Sequence, residues 1–229
     1  MSPPVEEASV ADRLDASIHS WAAPLSELVT GPSHRPLDAA PRVEANARLT
    51  ATIGIVLLLL FAAEGITVLS IHRLLPLHDA IGLLLIPPVL LKMASTGRRF
   101  AAYYLGDREY RAAGPPPILL RLAGPLVVIL TAALLGTGVE LWLFGPRFGS
   151  LWLTAHKASF VLWLGVMAIH VLGHLERAPR LALRDLAGRP AVAGSGRRRA
   201  WLAASLLMGL ALAAAVLLYH SPFMAPLEH

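Results

Sequence analysis

The chain contains no cysteine among its 229 residues. That excludes disulfides, thiolate-ligated iron–sulfur clusters and the Cys-x-x-Cys-His attachment of a c-type haem, so any metal group would be held non-covalently. Charge is also scarce. Only 15% of residues are Asp, Glu, Lys or Arg, against about 25% in ordinary soluble domains. Residues 1–47 hold no short apolar core of the kind a secretory signal needs. They are polar and proline-containing, with seven acidic residues against three arginines, so the first apolar segment reads as a true span.

Long apolar runs take the place of charge. The chain is 55% hydrophobic with a mean hydropathy of +0.60. Five of its stretches exceed the roughly 18 apolar residues that mark a transmembrane helix. The expected spans cover residues 49–72, 77–104, 117–144, 151–175 and 200–220. The links between the first and second (RLLP) and the third and fourth (GPRFGS) are short, so those pairs must be antiparallel neighbours. The fold class expected is therefore all-α, an integral-membrane up-and-down bundle. It divides into a segment at 1–47, a five-helix domain at 48–220 and a short tail at 221–229. The tail ends in Leu-Glu-His, which looks like the start of a vector-encoded histidine tag.

Sixteen of the twenty Lys and Arg fall before the first span, in the links after the second and fourth, or in the span ends beside those links, including Arg98, Arg99, Arg177 and the run Arg197-Arg198-Arg199. Only Arg73 and Arg147 lie in the two short links. The positive-inside rule then puts the N-terminus in the cytoplasm and the C-terminus outside, in a cell's inner (plasma) membrane. The net charge of +5 reports this topology rather than nucleic-acid binding. Upstream of the first span, Val10, Leu14, Ile18, Trp21, Leu25, Leu28 and Val29 recur at helical intervals and stop at Thr30-Gly31-Pro32. This amphipathic helix either lies on the membrane surface or the bundle, or docks a soluble partner. Ala191–Gly196 reads as a linker.

The chemistry lies in the histidines. His156 and His170 are fourteen residues apart in one span, close to four turns, so they share a face and sit about 21 Å apart along the axis. Antiparallel alternation puts His78, at the start of the second span, at the depth of His156, where two imidazole nitrogens can hold one haem iron axially. Gly82, one turn below His78, would make room for the porphyrin. Fourteen residues after His78 stands Lys92, so the inner counterpart of His170 is a lysine. Lys92 could snorkel to headgroups, ligate or pair with a haem propionate, or bind a quinone carbonyl or carry protons. Pro87-Pro88 should kink the span between the two positions. His174 competes with His170 one turn on, and His72 is the reserve partner for His156. A lone histidine at an interface, such as His72 or His220, usually serves only as a polar cap. Glu64 is deep and needs a partner, whereas Glu140 should meet water, Arg147 or Lys157. Gly136 and Gly138 allow close approach, and Trp142, Trp152, Trp163 and Trp201 include interfacial anchors.

Spans two and four, with His78 and the trio His156, His170 and His174, resemble the bacterial membrane cytochrome b superfamily. That group includes cytochrome b-561-like proteins and the cytochrome b subunits of hydrogenases and formate dehydrogenases. The resemblance covers roughly residues 50–175 and rests on pattern. It implies a four-helix core holding non-covalent haem b and passing electrons, commonly to or from quinone, with the fifth span an addition. Lys92 is the departure from that pattern. One haem is expected between His78 and His156, with a second at His170 or His174 left open. The partners expected are the lipid bilayer and a quinone or redox protein. Two other classes remain: a small ion-coupled transporter using Glu64, Lys92 and the histidines, and a non-catalytic anchor docking a partner through the arginine-rich loops.

The absence of cysteine makes the topology directly testable. A single Cys at Ser2 should react with an impermeant maleimide only after the membrane is opened, and one at Glu228 should react in intact cells.

Overall fold

In the computed structural model, residues 9–30, 40–148, 150–188, 192–219 and 221–222 are described. Among them all regular structure is helical. The elements are α1 (Val10–Thr30), α2 (Pro41–Val68), α3 (Ile71–Tyr104), α4 (Arg108–Ala112), α5 (Ile118–Phe144), α6 (Leu151–Leu172), α7 (Arg177–Ala187) and α8 (Ser195–Leu218), with one turn of 3-10 helix between α5 and α6. Helices α2, α3, α5, α6 and α8 are long and apolar enough to cross a bilayer. The chain is a multi-pass membrane protein, and its exposed leucines and isoleucines, such as Leu59, Leu162 and Leu207, suit contact with lipid.

Two hairpins, α2–α3 and α5–α6, form the four-helix core, and α8 packs along the other side of α3. The α2–α3 interface is an apolar seam of Ile53, Leu57, Leu85 and Val89, closed by Leu135 of α5 and Leu202 of α8. Gly209 lets α8 approach the backbone carbonyl of Leu84, where any side chain would collide. The α2–α3 break comes at Leu69-Ser70, earlier than the expected link at 73–76. His72 consequently opens α3 instead of closing the first span, and it is exposed. α3 continues as one helix through Pro87 and Pro88, both buried, so His78 and Lys92 stay on one element.

The end that carries the arginine-rich links is closed by polar packing. α7 was read as loop, and it lies against α2. Gly188, in the left-handed region at φ 67°, ends it, as glycine commonly does. Arg198 of α8 donates to Asp185 of α7 at 2.5 and 3.1 Å, and Glu44 accepts from Arg48 within α2 at 2.5 and 2.9 Å. All four side chains are buried. Buried charges of this kind hold only in pairs, so they fix how α2, α7 and α8 meet.

The amphipathic helix forms as expected, but its apolar stripe does not face the bundle. Val10, Leu14, Trp21, Leu25 and Leu28 are exposed, while Ala22 and Ser26 are buried. Polar contacts hold the helix to α7: Arg180 grips Asp15 through two 2.8 Å hydrogen bonds, and His19 meets Glu176 at 2.8 Å.

The Arg180 hydrogen bonds hold the Asp15 carboxyl below its ordinary value of 3.8. A depressed carboxylate stabilises the folded arrangement above that value and loses the contribution as pH falls through its own lower pKa. Amide protection in α1, relative to the intrinsic exchange rate at each pH, should therefore hold from pH 7 to 5 and fall below about pH 4. An Asp15→Asn variant should show the faster exchange at neutral pH.

Candidate functional site

His78 stands two turns into α3 and His156 in the second turn of α6, the end of each span that the short links join. Their rings are 6.2 Å apart, centre to centre, and perpendicular at 89°. Each ring is held by its own hairpin partner. His78 Nδ1 lies 2.8 Å from Thr67 Oγ1 and 3.1 Å from Glu64 Oε1, both on α2. His156 Nδ1 lies 3.0 Å from Thr137 Oγ1 and 3.1 Å from the Leu134 carbonyl, both on α5.

The Leu134 carbonyl can only accept, so His156 Nδ1 carries the hydrogen and Nε2 keeps a lone pair. The Thr67 hydroxyl is placed to donate to the Glu64 carbonyl at 2.5 Å, and in that arrangement its oxygen accepts from His78, which then has the same tautomer. Two neutral imidazoles with Nδ1–H bonded outward are what axial ligation requires.

The spacing fits the same chemistry. A metal–imidazole bond of about 2.0–2.1 Å, with the ring centre roughly 1.1 Å further on, puts two axial rings roughly 6 Å apart. Among the described residues no group of three or more His, Cys, Asp or Glu could hold a bare metal ion. A porphyrin brings four nitrogens of its own and asks the chain for two.

The glycines serve different neighbours than expected. A Cβ on Gly82 would stand 3.4 Å from Glu64 Oε1, an ordinary contact, so Gly82 borders the carboxyl that meets His78. A Cβ on Gly138 would stand 3.2 Å from His156 Cε1, so Gly138 seats that ring. Glu140 does not find the polar partners expected of it. Both of its carboxylate oxygens are buried without a hydrogen bond.

At the other end the symmetry fails, as Lys92 foretold. His170 and His174 meet edge to face, in α6 and the turn after it, with ring centres 4.7 Å apart and planes at 70°, and His170 Nδ1 is buried without a partner. Lys92 turns to α2, where Nζ donates to the Thr50 carbonyl at 2.5 Å. It does not snorkel. Gly54 provides the space, since a Cβ there would stand 2.9 Å from Nζ. Asn46, Thr50 and Ser95 complete this polar seam: Asn46 donates to the Ser95 carbonyl and Thr50 touches the Ser95 hydroxyl. Lys92, Arg99 and Arg177 all act electrostatically on His174, so this end is strongly cationic.

Trp163 of α6, midway in sequence between His156 and His170, is buried against Phe61 of α2 at 4.7 Å. Its indole donates to Thr131 of α5 at 2.9 Å. It is a core residue, not an interfacial anchor. Thr67, Thr131 and Thr137 carry no periodic or motif signal, and only the fold reveals them. No family model, curated protein or solved structure matches the chain.

The Gly54–Lys92 fit can be measured by a double-mutant cycle. Gly54→Ala should be less favourable in the parent than in a Lys92→Ala background, by about 1 kcal/mol, because it displaces Nζ from the Thr50 carbonyl. Thermal unfolding in detergent of the four proteins reads the difference.

Proposed function

We propose that the protein is a membrane b-type cytochrome that holds one haem b between His78 and His156. The observation that carries this reading is the pair of imidazoles 6.2 Å apart, each with Nδ1 engaged by a neighbouring helix and Nε2 left to bind. A polar cap would need neither the matched spacing nor two tautomers fixed in the same sense. Haem bound there supplies a one-electron couple, and the chain supplies axial ligands, ring orientation and an apolar shell.

By the distribution of Lys and Arg, this site lies toward the outer face of a cell's inner membrane. Electrons would enter or leave through a quinone or a redox protein. His170 and His174 have no histidine facing them from α3, and Lys92 is committed to the Thr50 carbonyl, so a second haem is not part of the reading.

Purified protein supplemented with haem should show a Soret band that shifts on dithionite reduction. His78→Ala and His156→Ala should each abolish the low-spin spectrum, and His72→Ala should leave it intact. A pyridine haemochrome assay should count one haem per chain. A preparation that stays colourless after supplementation would sink the reading.

A further inference from the structure

The two imidazoles of the pair differ in what receives their Nδ1 hydrogen. On His156 both acceptors are neutral, the Leu134 carbonyl and the Thr137 hydroxyl. On His78 one acceptor is the Thr67 hydroxyl and the other the carboxyl of Glu64. Glu64 and Thr67 are three residues apart on one face of α2. The second carboxyl oxygen, Glu64 Oε2, is buried and accepts nothing, so His78 is the donor to which this carboxyl is directed. Gly82 borders the same carboxyl, with Glu64 Oε1 at contact distance from where its Cβ would stand. The other acid nearby is Asp79, adjacent to His78 on α3.

We propose that Glu64 and Thr67 are positioning residues that set the donor strength of His78, and through it the reduction potential of the haem. The proposal rests on the His78–His156 reading above. Thr67 orients the ring: its own hydrogen is spent on the Glu64 carbonyl, so it can only accept, and the Nδ1–H tautomer follows. Ionised, Glu64 would bring a charge to that hydrogen which neither acceptor of His156 can bring. A carboxylate accepting from a ligand imidazole makes that imidazole more basic than a neutral acceptor does. A more basic axial ligand favours the ferric state, so the potential falls. His78 is thereby the electron-rich ligand of the pair and His156 the ordinary one.

The test is a redox titration of full-length protein in detergent, comparing the parent with Glu64→Gln, Thr67→Val and Thr137→Val. Glu64→Gln keeps an acceptor and removes the charge. It should keep the low-spin spectrum and raise the midpoint by about 59 mV, a tenfold change for one electron. Thr137→Val, which removes a neutral acceptor from His156, should shift it much less. Equal midpoints for Glu64→Gln and the parent, with haem content unchanged, overturn the proposal and leave the haem reading standing. Haem-free protein gives an independent readout. Its ¹⁵N spectrum should show His78 protonated at Nδ1 in the parent and a mixture of tautomers in Thr67→Val. A parent spectrum with the hydrogen on Nε2 overturns the positioning role whether or not haem binds.

Discussion

Polar groups inside an apolar bundle must find their partners within it, because lipid offers none. That constraint organises this molecule. The α2–α3 and α5–α6 hairpins each present a histidine near the short-link end, and each hairpin satisfies its own histidine through threonine and a carbonyl or carboxyl from the neighbouring helix. On each ring the nitrogen so engaged is Nδ1. Each ring is positioned by the two-helix unit it belongs to, with no reliance on the other. The same constraint shapes the opposite end, where Arg48 is paired with Glu44 and Arg198 with Asp185.

The five spans were readable because their signal is crude: long runs without charge. Their ends were less so. The break after α2 falls at Leu69-Ser70, where neither residue is a strong punctuator, while Pro76, the apparent stop, lies inside α3, which continues despite the backbone bond a proline cannot make. α7 was missed because four charged residues in eleven read as a loop. It is helical because Leu181 and Ala182 are buried and because Asp185 pairs with Arg198, a residue thirteen positions away.

The candidate site was half legible. Helical spacing and antiparallel alternation were enough to bring His78 to His156. What the spacing could not convey was the use of the two glycines, since Gly82 and Gly138 look alike in sequence and serve Glu64 and His156 respectively. The threonines carry no signal for a similar reason: hydroxyls are common in apolar helices, and only tertiary placement distinguishes Thr67 and Thr137 from Thr52, which donates back to the Arg48 carbonyl inside its own helix. Lys92 was recognised as a break in the symmetry, but its partner, the Thr50 carbonyl, is a backbone atom with no sequence signature.

The Phe61–Trp163 contact has a further consequence. It joins α2 of one hairpin to α6 of the other, and the indole nitrogen adds a bond to Thr131 of α5. One side chain thus ties three helices of the core together. A change at Trp163 would reach the spacing of His78 and His156 without touching either ring.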